Sequence, residues 1–177
     1  MDLEIVLIIS FIFLSLFGTL LHFTHDWFKN GILLHIFSAI NESTWEHMKL
    51  LVAPTLIVAI FQYIVLRDSY PNIFNSIFIL LTVQIISIPL LYEPLRVVFK
   101  KVHFIITILI FFLSIIIGIF MEYIFLLSGY ILFDESISLI LILILTVLFG
   151  IFTYYPPKIF LFRDPNTKRY GDTKGWR

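Results

Sequence analysis

Five stretches of this chain are each long and apolar enough to cross a lipid bilayer. They run from about Leu3 to Phe23, Trp45 to Leu66, Ile73 to Tyr92, Val102 to Leu127 and Ile137 to Tyr155. A bilayer core of about 30 Å needs about 20 predominantly apolar residues at a helical rise of 1.5 Å. Backbone amides have no water to bond in that core, so each stretch is expected to be a helix. The sequence therefore predicts an all-α fold, a polytopic membrane helix bundle with five transmembrane helices. Composition agrees: 60% of the residues are hydrophobic and only 14% charged, against about half and about a quarter in soluble chains.

A sixth apolar piece, GILLHIFSAI (Gly31 to Ile40), is half a span and is expected to form a short re-entrant or interfacial helix. Pro156 and Pro157 end the last apolar run. Residues 1–157 are accordingly expected to form a transmembrane helical domain and residues 158–177 a basic cytoplasmic tail. The leading segment carries Asp2 and Glu4, no Lys or Arg and no small-x-small cleavage site, so it reads as a first span and not as a cleaved signal peptide. Cysteine is absent, which excludes disulfides, thiolate nucleophiles and Cys-based metal centres.

Lys and Arg suggest an orientation. With the C-terminus cytoplasmic and five spans, the N-terminus lies outside. Lys29, Lys49, Arg96, Lys100, Lys101, Lys158, Arg163, Lys168, Arg169, Lys174 and Arg177 then fall inside, and only Arg67 outside. This predicts a multi-pass protein of the cell (inner) membrane. The same topology puts all five histidines, His22, His25, His35, His47 and His103, on the inner face with Asp26, Glu42, Glu46 and Glu93. Glu122, far along the fourth span, is expected near the outer interface.

The most polar short run before the tail is NESTWEHMKL, Asn41 to Leu50. Read as a helix, it puts Glu42, Trp45, Glu46 and Lys49 on one stripe, with Ser43 and His47 beside it. Ser43 and Glu46 match a capping box, Trp45 suits the headgroup level, and Lys49 can pair with Glu46 or a lipid phosphate. A cap needs no imidazole, however. Asn41, Glu42 and His47 face the end of the first span, where His22, His25 and Asp26 lie. Imidazole and carboxylate are the ligands that Zn or Fe(II) takes, and a His beside a Glu is equally an acid/base pair. The candidates are Glu42, Glu46 and His47 as catalytic groups, Asn41, Trp45 and Lys49 as substrate contacts, and His22, His47 and Glu46 as ligands of a divalent metal such as Zn. At the interface charge is cheap, so Glu46→Gln and His47→Ala are expected to spare insertion and helicity. His103 reads as a snorkelling interfacial residue. The tail reads most simply as a segment lying on the anionic leaflet. A flap over the polar run, contributing Asp164 or Arg163, is its other reading.

A His at the end of the first span, the block INESTWEHMKLL and the closing YYPPKIFLFRDPNTKRYG together resemble a family of small uncharacterised bacterial and archaeal multi-pass membrane proteins. His22, Asn41, Glu42, Trp45, Glu46, His47 and Lys49 match that pattern, and His25 departs from it. The resemblance implies a multi-pass inner-membrane protein and supplies no reaction.

Three functions stay open on the residues. One is a membrane enzyme acting on a lipid or other amphiphile by metal or acid/base chemistry. Another is a small-solute or ion transporter, for which Pro54, Gln62, Gln84 and Pro89 are the few midspan hints. The third is a non-catalytic, partner-binding subunit. Membrane lipids are the expected partners, a homo-oligomer is open, and nucleic acid is not expected.

Overall fold

The computed structural model of the protein describes residues 1–28, 32–99 and 102–172, without the side chains of Asp26, Ile32 and Leu33. Lys29, Lys100, Lys101, Lys174 and Arg177, which bear on the orientation argument, lie outside the described residues, as do Gly31, the first residue of the half-length segment, and any contact of the Asp26 side chain. The elements are α1 (Leu3–Trp27), α2 (Ile32–Phe37), α3 (Thr44–Lys49), α4 (Val52–Leu66), α5 (Ile73–Phe99), α6 (Phe104–Ser128) and α7 (Glu135–Tyr154), followed by a 3₁₀ turn at Phe160–Phe162. Among the described residues the fold is all-helical, and five spans are long and apolar enough to cross a membrane: α1, the pair α3–α4 (Thr44–Leu66), α5, α6 and α7.

Helix α5 is the hub, packing on α3, α4, α6 and α7. Its Ile77, Leu80 and Leu81 are fully buried, with Leu14 of α1, Ile115 of α6 and Ile142 of α7 close behind in the same core. The outer faces of α6 and α7 stay apolar and exposed, through Ile105, Leu109, Ile116, Leu143 and Val147 among others. Such a surface suits an apolar surrounding such as lipid and not water.

The second span is not one smooth helix. Pro54 has no N–H to give to the carbonyl of Leu50, so the regular ladder fails there. The chain tightens at Leu50 and Leu51, where the Leu51 amide bonds the Met48 carbonyl at 3.2 Å. The Leu50 carbonyl abuts α1 at Gly18, where a Cβ would sit 3.3 Å from it and 2.6 Å from Cζ of Phe111. A larger residue at that crossing would have to push the Phe111 ring aside.

Three findings sharpen the sequence reading. The third span continues past Tyr92 and Pro94 to Phe99, braced by a Glu93–Arg96 ion pair of 2.8 Å one turn apart. The half-length segment does form a short helix, α2. Glu122, expected toward the outer end of its span, has more than a turn of α6 beyond it and a side chain fully buried in the bundle. There the Gln62 amide donates to Glu122 Oε2 at 3.3 Å and to Ser10 Oγ at 3.1 Å. Gln84 likewise donates to Thr55 Oγ1.

The end of the bundle that carries the N-terminus is tied by side chains to backbone. Glu135 accepts from the amides of Phe74 and Asn75 at 2.6 and 3.1 Å, and Asn75 Oδ1 accepts from those of Leu132 and Phe133 at 2.9 Å each. At the opposite end, His103 caps α6 by accepting the Ile105 amide at 3.3 Å, so its role there is a cap.

Candidate functional site: a His–Glu–His cluster in a membrane cavity

The loop into α3 is built from the polar run. Asn41 Oδ1 accepts the Ser43 amide at 2.7 Å, and Ser43 Oγ accepts the Glu46 amide at 3.4 Å as the N-cap. Half of the expected capping box is present. The Glu46 carboxylate reaches past the cap to the Ile40 amide at 3.1 Å, and it is ion-paired with Lys49. Lys49 is 0% exposed and Glu46 3%. The remaining Lys49 donors go to the His35 carbonyl at 2.9 Å and Thr153 Oγ1 at 3.1 Å. This ion pair therefore fastens α3 to α2 and α7.

Trp45 was expected at headgroup level and is instead 8% exposed. Its indole is stacked between Phe149 of α7 at 4.2 Å and Phe162 of the tail at 4.4 Å. The tail accordingly folds back onto the bundle through Phe162, while Lys158, Ile159, Phe160, Arg163 and Lys168 stay exposed. Its Asp164 Oδ1 accepts the amides of Asn166 and Thr167 at 2.7 and 3.2 Å, Arg163 and Tyr170 pair as an antiparallel bridge, and Asn41 Nδ2 holds the Gly171 carbonyl at 2.8 Å. Gly171 sits at φ +69° with Pro156 against it, a backbone that favours glycine. The turn brings Pro165 and Asn166 onto a cavity of about 560 Å³. The flap reading is the one the geometry favours, although Asp164 shapes the turn and Arg163 bridges Tyr170.

On that cavity the structure assembles His22 of α1, Glu42 of the loop and His47 of α3. Glu42 Oε2 lies 3.7 Å from Nε2 of His22 and 3.7 Å from Nε2 of His47. One donor atom from each of the three falls within 4.8 Å of the others. Nδ1 of His47 is 2.9 Å from the Ser43 carbonyl. A carbonyl only accepts, so the proton is on Nδ1 and the lone pair of Nε2 points at the cluster. That outer hydrogen bond is the usual way a protein fixes the tautomer of a metal-binding imidazole. Adjacent donors around a tetrahedral zinc lie about 3.3 Å apart, given bonds of roughly 2.0–2.1 Å, so the observed spacing closes with small side-chain shifts. The ion pair Arg96–Glu93 borders the same cavity, and Glu93 is held in turn by the Thr44 hydroxyl.

Of the sequence candidates, His22, Glu42 and His47 converge. Glu46, Asn41, Trp45 and Lys49 do not line the cavity; their contacts hold the block and the tail in place. Glu46 is therefore separate from the imidazoles it was grouped with as a metal ligand. Glu42 takes that place because the helix starts at Thr44, leaving Glu42 in the loop and free of the α3 stripe. His25 is buried against His35, with ring centroids 4.9 Å apart, away from the cluster. Tyr92, Arg96 and Asn166 line the cavity and were not singled out from the sequence. The i, i+3 Glu93–Arg96 spacing was the signal that could have found the second of them.

No curated protein and no solved structure matches the chain. A family model described as "Family of unknown function (DUF6512)" matches residues 2–172, nearly the whole chain. The five-span protein with this His–Glu–His cavity belongs to that family.

Proposed function

We propose that the protein is a membrane enzyme that binds a divalent metal ion, zinc foremost, through His22, Glu42 and His47 and hydrolyses an ester or phosphoester of an amphiphile. The observation that carries this is the convergence of two imidazoles and a carboxylate on the wall of a cavity large enough for a headgroup. Two His and one carboxylate leave coordination positions for water and substrate, and a bound zinc makes that water a nucleophile near neutral pH. Phe111 and Ile108 give the cavity apolar walls suited to a hydrocarbon chain. The excess of Lys and Arg at this end favours a cytoplasmic site, with the N-terminus outside and the cell membrane as location.

The test is elemental analysis of detergent-purified protein for Zn, Fe, Mn and Ni, wild type beside His22→Ala, Glu42→Gln and His47→Ala. Near-stoichiometric metal in the wild type, lost in each variant, is the expected result. Metal that survives losing both histidines would sink the assignment.

A second reading, transport of a small solute or ion, draws on the buried Ser10–Gln62–Glu122 group, since carboxylates inside spans are usually functional. Solute or proton flux in proteoliposomes that is abolished by Glu122→Gln and indifferent to His47→Ala would favour it.

A further inference from the structure

The cavity contains more than the cluster. Arg96 and Tyr92, one helical turn apart on α5, line it together with His22, Glu42 and His47. The Arg96 side chain is 19% exposed, and one of its guanidinium nitrogens is held at 2.8 Å by Glu93. The Thr44 hydroxyl in turn holds that carboxylate. An arginine has five N–H donors in a planar fork, and the ion pair with Glu93 occupies one of its nitrogens. The fork is thus oriented from behind, and it remains able to bind an oxyanion from the cavity side.

Access to the cavity lies between α1 and α6. Phe23 of α1 and Phe104 and Ile108 of α6 line it and are also exposed on the apolar exterior of the bundle. A ligand entering there leaves lipid without crossing water. Pro165 and Asn166 of the folded-back tail cover another side.

We infer that the cavity takes a phosphate-bearing amphiphile from the bilayer, its phosphate held between Arg96 and the His22–Glu42–His47 cluster and its chain lying along α6. This rests on reading the cavity as the substrate site. Charge supports phosphate over a cationic or neutral headgroup. Glu93 offsets Arg96 and Glu42 offsets half of a divalent ion, so the loaded site keeps about one positive charge. A dianionic headgroup complements it, and an arginine opposite a metal is a recurring clamp on phosphoryl oxygens. Tyr92 can add a hydroxyl donor.

The test is binding of didecanoyl phosphatidic acid, didecanoyl glycerol and inorganic phosphate to the purified, metal-analysed protein in detergent, by isothermal titration. Variants are Arg96→Gln, Arg96→Lys and His47→Ala. Wild type is expected to bind the phosphatidic acid at least tenfold more tightly than the matched diacylglycerol. Arg96→Gln should lose most of that preference, with metal content unchanged, and Arg96→Lys should regain part of it. Melting curves confirm that each variant is folded; Glu93→Gln, which keeps the arginine's charge but loosens its orientation, serves as a second variant and should weaken the preference less than Arg96→Gln does. Equal binding of the two lipids, or a preference untouched by Arg96→Gln, overturns the inference. Inorganic phosphate bound as tightly and through Arg96 overturns the amphiphile and leaves a soluble phosphate as the ligand. A wild type without metal that still shows Arg96-dependent preference upholds the phosphate subsite while the metal reading fails.

Discussion

Replacing Lys49 with Met strands the Glu46 carboxylate in an apolar interior. Lys49 is 0% exposed and Glu46 3%, and with the ammonium gone the carboxylate keeps the Ile40 amide as a donor. Removing one partner of a buried ion pair costs about 3–5 kcal/mol. At about 2–4 °C per kcal/mol for a chain of this size, the melting temperature should fall by roughly 6–20 °C. The double variant Lys49→Met with Glu46→Gln removes both charges, while the new amide can still accept from Ile40. What it leaves is the His35 carbonyl without its lysine donor; Thr153 keeps its own bond to the Phe149 carbonyl at 2.8 Å. The double variant should cost about 1–3 kcal/mol, the loss for an unsatisfied buried group, and so melt above the single. Thermal unfolding of the detergent-purified proteins, followed by tryptophan fluorescence, reads both numbers. A single variant melting within about 2 °C of wild type would refute the reasoning, as would a double variant that melts below the single. The same geometry reverses the expectation from sequence that Glu46→Gln is harmless, because that carboxylate is a buried tie.

Glu46→Gln should lower the melting temperature yet keep bound metal, whereas Glu42→Gln should lose metal with little change in melting; elemental analysis beside a melting curve separates the two glutamates. Ser43→Ala should cost about 0.5–1 kcal/mol, the low end for an N-cap, because the Ser43 Oγ to Glu46 amide distance is a long 3.4 Å; the melting temperature reports it. Asn41→Ala removes the acceptor of the Ser43 amide and the donor to Gly171, so limited proteolysis should cut between Pro157 and Gly171 several-fold faster. Gly18→Val puts a branched side chain where even a Cβ is 2.6 Å from Phe111 Cζ. It should displace that ring within the cavity and weaken lipid binding while sparing the metal.

The spans were legible because a bilayer sets their length and a run of Ile, Leu and Phe has little other use. Their ends were less so. The third span was expected to end at about Tyr92, yet α5 continues through Pro94 to Phe99, with the Glu93–Arg96 pair bracing the next turn. The polar run was legible as a block, but a helical stripe was the wrong ruler for Glu42. The helix begins only at Thr44, so Glu42 follows loop geometry and turns to His22 and His47, while Glu46 and Lys49 follow the helix into the core. Trp45 looked interfacial by residue type; what buries it is Phe162, brought back from far along the chain. No local pattern reports a contact of that range. Glu122 was visible as a charge, but its burial depends on the packing of α1 and α4 against α6.

The tie between Asn41 and Gly171 has a consequence for the order in which the protein is made. His22, Glu42 and His47 are synthesised early and come together once the first two spans are in the bilayer. The cavity walls on α5 and α6 come later, and Pro165 and Asn166 only after α7. Phe162 can close on Trp45 only then as well. The His–Glu–His cluster is thus laid down in the first two spans, whereas the enclosure that restricts what reaches it is complete only when all five spans have been laid down. A chain stalled or cut before the tail would be expected to carry the ligands without their cover.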